Sequence, residues 1–245
     1  MKNILKYGMI LCTCLLISPS CLAETVIKEN VKYNLNDRKM TAVYEEYVGN
    51  EAPNEAKYIF PREVSVNGKT YIVNEIASNA VKKLKAKRLV FSDAVNKILV
   101  SDLYRFELEV NSNNQSFLVK DSVLYSIDKK TLLKSGALKN CGFTKLIIPK
   151  SVKKFEKNAL ETTIGILKFK GKKVPQIANQ EVCLFGENEA GQQVPEYLDE
   201  MFNYDIIRGI GVVVVPKGKC SEYRNKLDKK MRYQSIKESA FVVHS

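Results

Sequence analysis

Histidine, the side chain that most often acts as a general base near neutral pH, is almost absent from this sequence. His244 is the single histidine among 245 residues, and it is the second-to-last residue. The sequence also lacks the Gly-x-Ser-x-Gly motif of serine hydrolases and the full Gly-x-x-x-x-Gly-Lys-Ser/Thr loop that binds nucleotide phosphates. We therefore expect a protein that is not an enzyme and that uses no cofactor and no metal ion.

The cysteines and the acidic residues do not change this expectation. Three of the six cysteines lie near the N-terminus, and the others are Cys141, Cys183 and Cys220. These last three cysteines are an odd number, so they cannot all form disulfides within one chain. Their spacing also does not match that of metal ligands. We expect small, buried side chains, with one disulfide and a remaining thiol as the alternative. Acidic pairs such as Glu45-Glu46 are expected to be solvated surface charges.

The N-terminal residues have the pattern of a secretory signal peptide. Lys2 and Lys6 precede an apolar stretch from Gly8 to Ile17, and the small residues that favour cleavage follow at 21–23. The apolar stretch is about half as long as a transmembrane helix. We expect cleavage after Ala23, with lipidation at Cys21 as the alternative. Both outcomes predict a secreted or cell-surface protein, an outer-membrane lipoprotein in the second case, with no transmembrane segment in the mature chain.

Short strands and hairpins dominate the rest of the sequence. Alternating apolar residues predict one hairpin over 31–44, a second around Asn67-Gly68, and a third over 122–133. Helices are expected only at Gln193–Tyr204 and Cys220–Arg232. Two glycines at 209 and 211 are expected to loosen the turn before an apolar strand at 212–215.

A recurring apolar triplet, which ends in proline or a polar residue, points to internal repeats. The triplets with the residue that follows each are Tyr58–Pro61, Leu89–Ser92, Leu108–Asn111, Leu146–Pro149, Leu167–Lys170 and Val213–Pro216. The three prolines are separated by nearly whole multiples of about 22 residues, a length typical of leucine-rich repeats. Such repeats bury their apolar faces only by stacking on one another, which predicts a solenoid.

The residues around the triplets resemble the BspA-like leucine-rich repeats of bacterial surface proteins. Residues 146–160 match a repeat of that family nearly throughout, 140–145 match its cysteine-containing link, and 117–133 resemble an insertion found in many members. The resemblance implies a β-rich leucine-rich-repeat solenoid in a single domain at 24–245. The predicted parts are the signal peptide at 1–23, an N-terminal β-hairpin cap at 24–75, repeats at 76–178, an irregular insertion at 179–210 and a short C-terminal closing unit at 211–245.

The resemblance also implies a non-enzymatic binding module, secreted or attached to the cell surface, that contacts an extracellular or cell-surface protein. The net charge of +12 suggests an alternative, because lysines at equivalent positions of stacked repeats become neighbours. That alternative is the binding of acidic or sulfated glycans, and not of nucleic acid, by a Lys-rich face. The predicted face comprises Lys82, Lys83, Lys85, Lys87, Arg88, Lys153, Lys154, Lys157, Lys168 and Lys170. The insertion at 180–208 is a candidate specificity element.

Overall fold

The computed structural model describes residues 24–50, 56–137, 145–162, 164–184, 209–233 and 241–244. The predicted signal peptide, Cys21, Cys141, the predicted helix at Gln193–Tyr204 and most of the predicted insertion lie outside these residues. For Cys183 the structure describes the backbone, within a strand, and not the side chain.

The described residues are rich in β-structure, as the sequence predicts. The first ten strands are β1 (Glu24–Lys28), β2 (Val31–Asn36), β3 (Thr41–Tyr47), β4 (Lys57–Ile59), β5 (Glu63–Val66), β6 (Lys69–Ile76), β7 (Arg88–Phe91), β8 (Lys97–Ile98), β9 (Glu107–Val110) and β10 (Phe117–Lys120). The other ten are β11 (Val123–Ser126), β12 (Thr131–Ser135), β13 (Lys145–Ile148), β14 (Lys154–Phe155), β15 (Ile164–Phe169), β16 (Gln176–Ile177), β17 (Gln180–Leu184), β18 (Gly209–Pro216), β19 (Met231–Tyr233) and β20 (Phe241–His244). A 3-10 turn at Leu103–Arg105 and helix α1 (Cys220–Asp228) complete them.

Most neighbouring strands from successive turns of the chain pair in parallel and form four ladders. The two ladders that contain the apolar triplets, here called the front ladders, are β4–β7–β9 and β13–β15–β18–β20. The two back ladders are β3–β6–β8 and β12–β14–β16. Each back strand except β16 is followed along the chain by a front strand, so the chain alternates between the two faces. β17 follows β16 and pairs with β18 and β19. Antiparallel hairpins add β1, β2, β5, β10 and β11 at the edges of the back ladders.

The six apolar triplets lie in the front strands and pair with one another within each front ladder. Leu89 of β7 is in register with Leu108 of β9, and Leu146, Leu167 and Val213 are in register across β13, β15 and β18. These side chains are buried, whereas alternate residues face outward, as the period of two in a strand requires. The apolar pattern of the sequence therefore sets the strand register.

The three predicted hairpins are confirmed. β2 and β3, β5 and β6, and β11 and β12 pair in antiparallel fashion. Asn67 and Gly68 have φ values of 50° and 78°, the left-handed conformation that a two-residue type I′ turn requires at both central positions. The predicted turn chemistry therefore accounts for the local geometry.

Two clusters of buried side chains form the core, and strand β11 contributes to both. The N-terminal cluster includes Phe60 and Phe91, whose rings stack with centroids 5.1 Å apart. Leu124 faces this cluster, whereas Val123 and Tyr125 on either side of it face the C-terminal cluster. The alternation of side chains along β11 therefore joins the two halves of the core.

Two sequence expectations near the C-terminus need correction. Helix α1 ends at Asp228 rather than Arg232, because Met231–Tyr233 form β19 and pair with β17. The glycines at 209 and 211 lie within β18 rather than in a turn. A Cβ atom on Gly211 would lie 2.8 Å from the carbonyl oxygen of Gly165, so this glycine permits close approach of β15.

Within the described ranges, no helix has both the length and the apolar character needed to cross a membrane.

Candidate binding groove and lysine surfaces

A groove of about 690 Å³ separates the two front ladders. Leu108 of β9 lines one side, and Leu146, Ile147 and Pro149, in and after β13, line the other. β9 and β13 are the end strands of their ladders, and no described residue joins them by strand pairing. The groove is therefore bordered by two sheet edges.

The tight turn between β10 and β11 lies between these edges. Asp121 and Ser122 have φ values of 52° and 58°, so the turn has the left-handed geometry of a type I′ hairpin without a glycine. Ser122 Oγ accepts a hydrogen bond of 2.9 Å from the backbone N–H of Leu108. This bond occupies a donor on the outer edge of β9.

The charged residues on the β9 side are bound to one another. The Arg88 guanidinium donates to Glu107 at 2.8 and 3.1 Å and to Glu109 at 3.3 Å. The hydrogen bonds with Glu107 raise the pKa of Arg88 further above its usual value. Arg88 was expected in the basic face, but this arrangement neutralises its charge on the groove wall.

The outer edge of β13 has a different character. The N–H of Lys170 donates to the carbonyl oxygen of Ile148 at 3.0 Å, which shows that the Ile148 backbone faces β15. Because successive residues of a strand point their backbone groups in opposite directions, Lys145 and Ile147 turn theirs toward the groove. The Ile147 side chain is 40% exposed. A second strand could therefore pair with this edge.

The lining of the groove contains basic, acidic and apolar groups. Lys120, Lys145 and Lys170 contribute positive charge, and Tyr125 contributes a buried ring. Burial raises the pKa of Tyr125 to about 12, so its phenol stays neutral. In the described part of the chain, no three His, Cys, Asp or Glu side chains form a group that could hold a metal ion. The arrangement suits recognition of a mixed polar and apolar segment.

The structure places the ten predicted basic residues on three surfaces. Lys82, Lys83, Lys85, Lys87 and Lys157 lie in loops that connect back strands to front strands. Arg88, Lys168 and Lys170 lie in or directly after front strands, whereas Lys154 begins β14 and Lys153 directly precedes it. Lys154 forms an ion pair of 2.7 Å with Glu156. Whether this set binds an anion remains a prediction.

Three further lysines lie beside Lys153. Lys150, Lys153, Lys172 and Lys173 line a second cleft of about 400 Å³, together with Ser151 and Gly171. Lys150 and Lys172 are about one repeat apart, and they belong to two lysine clusters of the sequence that stacked repeats would bring together. Cys220 is a free, half-buried cysteine at the start of α1.

No family model matches the chain, and no curated protein matches it. One similar solved structure is the pneumococcal vaccine antigen PcpA, with a TM-score of 0.27 and 12% identity over 79% of this chain and 82% of that chain. Another is a leucine-rich cell surface protein from Faecalibacterium prausnitzii A2-165, with a TM-score of 0.26 and 9% identity over 87% of this chain and 99% of that chain. Similarity at this level carries no argument about function.

Proposed function

We propose that this chain is a non-enzymatic, leucine-rich-repeat binding module, secreted or held at the cell surface, that captures an extended segment of a partner protein. The export signal expected at 1–23 supports the location. The repeated apolar triplets and the parallel register of the front strands support the solenoid.

The observation that carries this proposal is the outer edge of β13. Lys145 and Ile147 present backbone donors and acceptors to the groove of about 690 Å³. An extended peptide can add a strand to such an edge, with affinity from backbone hydrogen bonds and specificity from side-chain contacts. Ser122 already occupies a donor on the opposite edge, which favours pairing with β13.

The side chains around the groove indicate which peptides would fit. Ile147 and Pro149 provide apolar contacts, and Lys120, Lys145 and Lys170 surround them with positive charge. A segment that alternates acidic and apolar residues would satisfy both. Acidic residues that line the groove lie mainly on the β9 side, where Glu107 and Glu109 contact Arg88.

Substitution of Ile147 by proline tests this docking mode. Proline removes the N–H that faces the groove and leaves the hydrogen bonds with β15 in place, because residue 147 faces away from that strand. We expect binding of peptides selected from a displayed random library to fall about tenfold, the value of one to two backbone hydrogen bonds. Fluorescence anisotropy with a labelled selected peptide would measure the change.

Ile147→Thr is the matched control, since threonine keeps the backbone donor and the preference for a strand. This variant should bind the peptide within about threefold of the original chain, and both variants should keep a circular dichroism spectrum rich in β-structure. Equal peptide binding by Ile147→Pro, or a library that yields no specific peptide, would contradict the proposed docking mode.

A further inference from the structure

We propose that a column of lysines, on two loops that lead from front to back strands and on the turns beside them, is a binding site for a sulfated polysaccharide. The column is centred on the cleft of Lys150, Lys153, Lys172 and Lys173, and we call it the lysine corner. It is distinct from the edge of β13 that is proposed to hold a peptide.

The ladder geometry brings the two central loops of the lysine corner together. β13 pairs with β15, and β14 pairs with β16, so the loops that join β13 to β14 and β15 to β16 are neighbours. The N–H of Gln176 donates to the carbonyl oxygen of Lys153 at 2.8 Å. A Cβ atom on Gly171 would lie only 3.7 Å from the Lys150 Cα. The absence of a side chain at residue 171 therefore leaves the cleft open.

The column continues on both sides of this cleft. The N–H of Lys153 donates to the carbonyl oxygen of Lys130 at 2.7 Å, so the turn between β11 and β12 lies beside the loop between β13 and β14. On the other side, Tyr223 Oη donates to the carbonyl oxygen of Gly171 at 2.7 Å and holds helix α1 there. The turn that precedes α1 carries Lys217 and Lys219. Adjacent strands are about 4.8 Å apart, so four loops present lysines along about 15 Å.

The central lysines are not neutralised by the protein. Within the described residues, Lys150, Lys153, Lys172 and Lys173 form no ion pair with a carboxylate, and no acidic residue lines their cleft. The ammonium group of Lys153 donates to the carbonyl oxygen of Lys150 at 3.1 Å. At the ends of the column, Asp128 pairs with Lys130 and Glu222 pairs with Lys219.

The equivalent loops in the N-terminal half have a different arrangement of charges. There, Arg62 from the loop after β4 forms an ion pair of 3.0 Å with Asp93 from the loop after β7. Those loops balance their charge within the protein, whereas the lysine corner leaves like charges side by side. Like charges repel and lower stability unless a counter-charge is present. This difference indicates a site for an external anion rather than general solubilisation.

The shape of the site indicates a linear ligand with repeated anionic groups. Lysine ammonium groups are compact point charges on flexible stems, so they match sulfate groups at varied positions along a chain. The cleft lies between two loops and is open at the surface, and lysines continue on the turns beside it, which suits a polymer better than a small enclosed anion. A sulfated polysaccharide has this chemistry, and export would place the protein where such polymers occur.

Heparin binding by two charge-matched variants tests the proposal. We expect the mature chain to bind a heparin octasaccharide in isothermal titration at low salt, with affinity that falls steeply as sodium chloride is raised. The double substitution Lys150→Glu and Lys172→Glu should weaken binding by about tenfold or more and make the salt dependence shallower. Lys28→Glu with Lys39→Glu is the control, because it changes the net charge equally on exposed lysines near the N-terminus that belong to neither the lysine corner nor the predicted basic face.

The control should retain binding within about threefold of the original chain. The expected pattern also includes stabilisation by ligand, with a higher Tm in heparin for the original chain and for the control but not for the lysine-corner variant. Equal losses in the two variants, no binding at low salt, or binding that does not depend on salt would overturn the proposal. Ile147→Pro should bind heparin normally, so failure of the peptide groove and failure of the lysine corner give different results.

Discussion

Replacement of Gly136 by alanine is expected to destabilise the protein by about 3 kcal/mol, because the site has no room for a methyl group. Gly136 lies where the chain leaves β12 and passes beneath β9. A Cβ atom there would lie 2.5 Å from Leu108 Cγ, 2.6 Å from the carbonyl oxygen of Phe106 and 2.8 Å from Ser122 Oγ. None of these distances is compatible with van der Waals contact.

The neighbours of Gly136 cannot move apart without loss of other interactions. The carbonyl oxygen of Phe106 accepts a hydrogen bond of 2.6 Å from Ala137, and the N–H of Gly136 donates to the carbonyl oxygen of Ser122 at 2.8 Å. Ser122 Oγ in turn accepts from Leu108. An alanine would therefore push the β10–β11 turn away from β9 and widen the candidate groove.

Urea unfolding followed by circular dichroism would measure this effect. Gly171→Ala is the matched control, since a Cβ atom there has its nearest neighbour at 3.4 Å, an ordinary contact distance. The control should be between unchanged and about 0.5 kcal/mol more stable, because alanine restricts the unfolded chain more than glycine does. If both variants have the stability of the original chain, the proposed close packing of the turn against β9 is wrong.

The sequence predicts the regular parts of this fold well. Each apolar triplet has the period of a half-buried strand, so Leu146 and Leu167 could be placed in the core before their partners were known. Asn67-Gly68 identifies its turn because few other residue pairs tolerate positive φ at both positions. These features depend on local sequence, and the structure agrees with them.

The candidate groove could not be predicted in the same way. Its walls come from Arg88, Glu107, Ser122 and Ile147, which belong to different turns of the chain and meet only after the ladders form. The gap between the ladders arises because the hairpin from β10 to β12 occupies the chain between β9 and β13. No periodicity within a strand indicates that gap. The sequence predicts the lysine corner in part, because it shows the lysine clusters at 150–157 and 168–173 but not which of these lysines share a cleft.

The turn over 111–114 shows a further limit, because the pattern of polar residues there does not indicate which side chain is buried. The structure forms that turn, with the N–H of Asn114 donating to the carbonyl oxygen of Asn111 at 2.9 Å. It also buries the Asn114 side chain. Nδ2 donates to the carbonyl oxygens of Ser92 at 2.9 Å and Val95 at 2.7 Å, and Oδ1 accepts from the N–H groups of Ser116 and Phe117 at 2.8 Å each. One amide therefore satisfies four backbone groups from two successive turns of the chain.

Asn114→Ala is expected to lower the free energy of unfolding by about 3–5 kcal/mol, because several buried backbone groups would lose their partners together. Asn113→Ala is the control in the same turn. Asn113 is exposed, so its replacement should change stability by less than about 0.5 kcal/mol. Urea unfolding would give both values, and hydrogen exchange should show faster opening at the amides of Ser116 and Phe117 in Asn114→Ala alone. Similar stability of the two variants would contradict this role.

Asn114→Asp separates the two functions of the amide. The introduced carboxyl can still accept from Ser116 and Phe117, but an ionised oxygen would face the carbonyl oxygens of Ser92 and Val95. Repulsion from these oxygens and burial raise the pKa of the carboxyl in the folded state above its unfolded value of about 3.9. A group with a raised folded pKa contributes full stability below the unfolded pKa, and this stability is lost as pH rises. We therefore expect the free energy of unfolding of Asn114→Asp to approach that of the original chain near pH 3.5 and to fall below it by several kcal/mol at pH 7. A difference in this free energy that does not depend on pH would show that the two carbonyl contacts contribute little.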